Sequence, residues 1–235
     1  MIRRPPRSTP SNSSAASDVY KRQIRFKMGS KIKIKSPTLL LGDNGIGKSI
    51  FAKILSRVIR QTWGTFKIES GGSSGYARLI MQDNIDQLFG ETILSHYNRV
   101  FIADKEKRTE TAEIYENIYG EICNAISQNR EFSSDSIGNR ETPNTILQSK
   151  IILAAERIAA RPTLLILDEP GWCLSKHLAR EFVKQIIKHA EERRIAILII
   201  SHAYDWWNDL VNDVIIFEKH NPNEVIVRKN ERAFK

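Results

Sequence analysis

Residues 37–55 read PTLLLGDNGIGKSIFAKIL. The apolar run TLLL is strand-sized and suits a strand buried on both faces. It leads into GDNGIGKS at 42–49, which matches G-x-x-x-x-G-K-[ST] at every fixed position. A predicted helix follows, through IFAKILSRVIRQ. Strand, glycine-rich loop and helix in this order are the context a phosphate-binding loop requires. Gly45 and Gly47 let the backbone wrap so that successive N–H groups face phosphate oxygens. The helix N-terminus adds partial positive charge. Gly42, Asp43, Asn44, Gly45, Ile46, Gly47, Lys48, Ser49 and Ile50 are therefore the expected ATP-binding residues. Lys48 would reach the β- and γ-phosphates, and the Ser49 hydroxyl would ligate Mg²⁺.

A second strand of this kind ends in LLILDEP, residues 164–170. It places Asp168 and Glu169 at the carboxyl end of a buried strand, where open α/β sheets bind ligands. Asp168 is expected to hold Mg²⁺, and Glu169 to polarise the attacking water as general base.

Around these motifs the chain reads as alternating strands and helices. QIRFKM-GS-KIKIK (23–35) has the pattern of a hairpin about Gly29 and Ser30. GTFKIE and ARLIM read as strands, with SGGSSG between them as a flexible loop. Ala112, Tyr115, Ile118, Tyr119, Ile122 and Ile126 fall at helical spacing with a charged opposite face. A Ser/Asn-rich loop, SQNREFSSDSIGNRETPN, follows. Then come a helix over about 145–160, the strand TLLILD, and a helix with apolar Leu178, Phe182, Val183, Ile186, Ile187 and Ala190. The strands IAILIIS, DVIIFEK and EVIVRK finish the pattern. It predicts an α/β, P-loop NTPase fold: a mostly parallel sheet flanked by helices, an N-terminal antiparallel β portion and an inserted helical subdomain.

The 235 residues and 41% hydrophobic content suffice for one sizeable core. No apolar run approaches the ~18 residues of a spanning helix. Cys123 and Cys173 have no metal-like spacing and read as free thiols. The net charge is +9, but +4 of it lies in residues 1–23, MIRRPPRSTPSNSSAASDVYKRQ. That segment is Pro/Ser/Arg-rich and aperiodic. It reads as a disordered, non-native tail similar to translated sequencing-adapter text, with the true N-terminus missing. The mildly basic remainder is expected to be a solvated surface, and nucleic acid is not an expected partner.

The chain resembles ATP-binding-cassette (ABC) ATPases from about Ile24 to Lys229. Besides the two motifs above it has LIMQD, with Gln82 at the family's Q-loop position. ILIISHAYD puts His202 at the switch-histidine position, and the helical insert lies between Gln82 and Asp168. The resemblance implies an ATPase domain over 24–235 with a helical subdomain at about 83–160. It implies a catalytic set of Glu169, His202 and Gln82, with Gln82 joining Ser49 and Asp168 around Mg²⁺. It also implies an aromatic stacked on adenine, for which Phe26 is the one candidate in reach.

The family opens the helix before LLILDEP with Leu-Ser-Gly-Gly-Gln. This chain has Asn144, Thr145, Ile146, Leu147 and Gln148 there. Thr145 can cap the helix. The two glycines, which let backbone amides approach a partner's γ-phosphate, are replaced by residues with bulky side chains. In WCLS, Ser175 stands where the family has aspartate. The resemblance therefore implies pairing with a second ABC subunit, a heterodimer being favoured over a slow homodimer. It also implies transmembrane transporter subunits and a place on the cytoplasmic face of a membrane. QDNIDQLFGETI (82–93) resembles the corresponding segment of energy-coupling-factor and cobalt-type importers. Two other uses fit the same residues: a soluble cassette acting on nucleic acid or the ribosome, and a weakly hydrolysing regulatory module.

Overall fold

The computed structural model describes residues 25–28, 34, 36–62, 64–83, 87–88, 108–127, 146–221 and 224–229. The 1–23 tail, Asn144, Thr145 and the Ser/Asn-rich loop beyond Ser127 lie outside them, as does the side chain of Phe26.

Among the described residues, seven strands form one sheet: β1 (Arg25–Met28), β2 (Thr38–Leu41), β5 (Ala77–Ile80), β6 (Leu164–Asp168), β7 (Ala196–Ile200), β8 (Asp213–Asn221) and β9 (Glu224–Lys229). Their order across the sheet is β1-β9-β8-β2-β7-β6-β5. From β8 to β5 every pairing is parallel. The antiparallel pairing is between β8 and β9 at the carboxyl end of the chain. The sequence pattern predicts an antiparallel portion at the amino end as well. There β1 runs parallel to β9, with Phe26 opposite Val225. The other arm of the expected 23–35 hairpin is outside the described residues.

The central strands alternate between two cores, as period-2 side chains must when both sheet faces are covered. Leu39, Leu165, Leu167, Ile197 and Ile199 face one core. Leu40, Leu164, Ile166, Leu198 and Ile200 face the other. The first core is roofed by α2 (Arg108–Ser127), α3 (Ile146–Ala159) and α4 (Lys176–Glu192). All six helical positions expected on α2 are buried. On α4, Leu178, Phe182, Val183, Ile186 and Ala190 are buried and Ile187 is half-buried. Helix α3 is buried on nearly its whole circumference, including Gln148, Ser149 and Lys150.

The second core is closed by α1 (Lys48–Leu55), whose Phe51 meets Phe217 edge-on at 5.2 Å between ring centroids. This helix is shorter than the pattern to Gln61 predicts. Arg57 adopts φ 59°, and its N–H bonds to the Ile54 carbonyl while that of Val58 bonds to Lys53. This left-handed closure satisfies the last carbonyls and stops the helix.

GTFKIE is not a strand. Only Glu69–Ser70 (β3) pairs, with Ser73–Ser74 (β4), in a separate two-stranded ribbon. The expected flexible loop SGGSSG is a tight turn in that ribbon, with φ 57° at Gly71 and 85° at Gly72. Two successive positive φ values match the hairpin turn that follows strand twist.

Candidate functional site

The phosphate-loop residues sit between the carboxyl end of β2 and α1. Ile46 anchors the loop in the second core, while Asp43, Asn44 and Gly45 are exposed. Gly47 takes φ 109° at the N-cap of α1, and no side chain caps that end. The first-turn N–H groups thus lack a capping oxygen, the arrangement that suits an anionic ligand. Gly42 is required by close approach: a Cβ there would lie 2.9 Å from Phe217 Cβ.

Lys48 is buried, with Nζ donating to the carbonyls of Gly42 at 2.6 Å and Asp43 at 3.1 Å. Burial pushes its ammonium below the ordinary lysine range, against the pull of Glu169, Asp168 and Asp43. One cation thus feels the charge of three carboxylates. Asp168, at the tip of β6, is 3% exposed. Burial raises its pKa, the hydroxyl of Ser49 opposes that shift through a hydrogen bond, and Glu169 adds to it. Its Oδ1 is buried with no hydrogen-bond partner in the described structure. An orphaned carboxylate oxygen beside a serine hydroxyl is a pair of hard donors that fits a small divalent cation.

Glu169 follows with φ 46°, an uncommon conformation for a non-glycine residue. Its N–H donates to the Ile200 carbonyl at 2.9 Å, which ties it to the end of β7. Its Oε2 accepts from Ser201 Oγ at 2.9 Å. Its Oε1 accepts from the His202 backbone N–H at 3.1 Å and faces His202 Nδ1 at 2.9 Å. Gln82, just past β5, shares with Glu169, His202, Asn44 and Trp172 a cleft of about 350 Å³.

The neighbouring strands β5, β6, β7 and β2 therefore bring Gln82, Asp168–Glu169, His202 and the loop 42–49 to one edge of the sheet. A parallel sheet does this because every connection returns the chain to the same end.

The site also rests on residues that the sequence reading passed over. The Gln87 amide pairs with the edge strand before Gln82, accepting from Met81 N–H at 2.8 Å and donating to the Leu79 carbonyl at 3.0 Å. Arg180 on α4 holds the loop after His202. Its Nη1 donates to the Trp206 carbonyl at 2.5 Å, and its guanidinium forks onto both carboxylate oxygens of Asp209. Ser201 was visible only as the neighbour of His202, and Gln87 only as part of QLF.

Of the five signature positions, Ile146, Leu147 and Gln148 are described, in the first turn of α3. Leu147 packs into the first core at 5% exposure, Gln148 is fully buried, and Ile146 is half-buried. The expected bulk at the second glycine position is thus directed into the chain's own interior. Lys150, one residue beyond Ser149, is 1% exposed. Burial pushes its pKa down to about 8 despite the pull of Cys173, Asp83 and Asp168. Ser175 caps α4, its Oγ accepting from the Leu178 N–H at 3.3 Å.

Residues 27–171 match the sequence profile of the ABC transporter family. The chain belongs to that family. Among curated proteins, this ABC-family chain is 24% identical over 207 residues to ribose import ATP-binding protein RbsA 2 of Rhizobium johnstonii, covering 81% of this chain and 40% of that protein. It is 23% identical over 220 residues to zinc import ATP-binding protein ZnuC of Ehrlichia chaffeensis, covering 92% and 84%. The chain spans two fifths or less of the length of the first curated relatives it matches. A solved structure, cbiO1 from Clostridium perfringens, part of the ABC transporter complex cbiONQ, superposes with a TM-score of 0.61 at 20% identity, over 86% of this chain and 79% of that one. No helix among the described residues is long and apolar enough to cross a membrane.

Proposed function

We propose that this chain binds and hydrolyses ATP as the nucleotide-binding subunit of an ABC importer, on the cytoplasmic face of a membrane. One observation carries the reading: the loop 42–49, Asp168–Glu169, Gln82 and His202 converge at one edge of the parallel sheet. The import ATP-binding proteins among the relatives support the transport role, and cbiO1, part of an ABC transporter complex, supports the fold.

Backbone N–H groups of the loop and the Lys48 ammonium would hold the β- and γ-phosphates. Ser49, Asp168 and Gln82 would hold Mg²⁺, which supplies charge neutralisation on those phosphates. Glu169 would take the proton of the attacking water, and His202 on the neighbouring strand end would contact the γ-phosphate. A second cassette would complete the site from the other side. The altered signature favours a heterodimer, in which this chain brings an intact loop and a partner supplies the glycine-bearing face.

Lys48→Ala tests the nucleotide site directly. A fluorescent ATP analogue that binds the unaltered chain should bind this variant at least ~10-fold more weakly. Equal binding would refute the site.

A further inference from the structure

We propose that Ser201 is a positioning residue for the general base, its hydroxyl fixing the orientation of the Glu169 carboxylate. The proposal rests on the reading of Glu169 given above.

The hydroxyl has one proton and two lone pairs. Ser201 Oγ accepts from the Ala203 N–H at 3.2 Å and lies 2.9 Å from Glu169 Oε2. A carboxylate is acceptor-only. The single proton therefore points to Oε2, and its direction is set by the loop that carries His202.

Ser201 is itself immobilised. It is 2% exposed, and its N–H donates to the Leu40 carbonyl at 3.2 Å, at the end of β2 just before the phosphate loop. Glu169 is thus joined to three consecutive residues: by its backbone to Ile200, by Oε2 to Ser201 and by Oε1 to His202. These ties differ in permanence. The His202 side chain is 63% exposed and would have to turn toward a phosphate. Ser201 is held in the sheet and stays. When the imidazole leaves Oε1, the Ser201 hydroxyl remains as the side-chain tie on Oε2. Oε1 then keeps the His202 backbone N–H and Oε2 the Ser201 hydroxyl, so the carboxylate is held at both ends with a lone pair left on each oxygen for a water proton. Without the hydroxyl the carboxylate swings about its last torsion, which is soft and broad. Misplacing a reacting group in this way costs ~10–100-fold in rate.

The test compares the unaltered full chain with Ser201→Ala and Ser201→Thr. Steady-state ATPase, binding of a fluorescent ATP analogue, and urea unfolding of Ser201→Ala, Glu169→Ala and the double variant are measured. Ser201→Ala should lower kcat ~10–100-fold while KM and analogue affinity stay within about two-fold. Ser201→Thr, which keeps the hydroxyl, should restore kcat to within about three-fold. The unfolding cycle should show a coupling of about five-fold in the equilibrium constant, the size of one hydrogen bond. Additive unfolding effects, an unchanged kcat in Ser201→Ala, or no rescue by threonine would each overturn the proposal. Absence of Lys48-dependent turnover by the chain alone is the outcome a heterodimer implies, and the unfolding cycle then decides whether Ser201 holds Glu169.

Discussion

His202 Nδ1 lies 2.9 Å from Glu169 Oε1, and the backbone N–H of the same histidine donates to that same oxygen. A carboxylate oxygen can only accept, so Nδ1 must carry the proton. In the neutral ring this leaves Nε2 as an acceptor, with its lone pair outward. A γ-phosphate oxygen needs a donor. The imidazole can serve the phosphate only by taking a second proton or by giving up its bond to Glu169. The proposed base and the proposed phosphate contact are therefore linked through one ring.

Glu169→Gln should separate binding from chemistry. The amide is nearly isosteric and its single oxygen still accepts from Ser201 or from His202, its NH₂ facing the other, but it cannot take a proton from water. Turnover should fall by about 100-fold or more, the range of a lost general base. Affinity for ATP should be kept. Phosphate release and filter binding on the same preparation measure the two quantities. Comparable turnover by the variant would remove Glu169 from its role.

Arg180 should matter to turnover although its hydrogen bonds go to Trp206 and Asp209 and not to the loop 42–49. Its fork onto Asp209 and its bond to the Trp206 carbonyl clamp the segment after His202 against α4. A lysine cannot reproduce two parallel N–H bonds. Arg180→Lys and Arg180→Ala should both reduce kcat several-fold, with the ATP affinity set by Lys48 unaffected. The thermal midpoint should drop by about 2–4 °C for each kcal/mol lost, as in domains of this size. A kcat equal to that of the unaltered chain would separate the clamp from catalysis.

The parts legible in the sequence are those whose signal is local. TLLL and LLILD are short apolar runs that only a doubly covered strand explains. GDNGIGKS has its fixed residues within one turn. The six buried positions on α2 follow from spacing alone. What failed depends on partners elsewhere in the chain. Thr65, Phe66, Lys67 and Ile68 have strand propensity, yet a strand forms only where another can complete its hydrogen bonds. Gly71 and Gly72 look flexible in composition, but paired positive φ values make them a tight turn. Ser201, Gln87 and the Arg180–Asp209 pair act across 32, 8 and 29 residues of sequence, and nothing in the local pattern marks such contacts. The replaced signature glycines were visible. That Leu147 points inward was not, because helix phase there is set by packing against the sheet and α2.

Lys150 should be a stability cost. It is 1% exposed on a helix buried on nearly its whole circumference, and burial is the main force on its ammonium. A buried ammonium carries a desolvation cost that an apolar residue of similar volume does not. Lys150→Met should raise the urea midpoint at neutral pH. Such a gain would indicate that the charge serves Asp83, Asp168 and the 171–175 loop, with ATPase activity falling as stability rises. A lowered midpoint would show instead that the ammonium stabilises the fold.

His189 should make the fold sensitive to mild acid. It is 1% exposed between α2 and α4, and neither ring nitrogen has a hydrogen-bond partner in the described structure. Burial lowers its pKa. Glu121 and Glu192, 3.8 and 3.6 Å away, pull it upward, and Arg193 and Lys188 oppose them. With the folded value below the unfolded one, the unfolded chain binds the extra proton first as pH falls. The contribution of the neutral ring is complete above about pH 6.5, the unfolded value, and is lost as pH drops through the lower folded value. Thermal midpoints from pH 8 to 5 should therefore decline more steeply in the unaltered chain than in His189→Leu, which carries no titrating group there. Because α2 and α4 meet at this point, the first structure to loosen should be their contact, with the Lys188–Glu121 pair broken before the phosphate-loop core opens. Hydrogen exchange on the two helices at pH 5.5 would measure that order, and equal protection in both regions would argue against it.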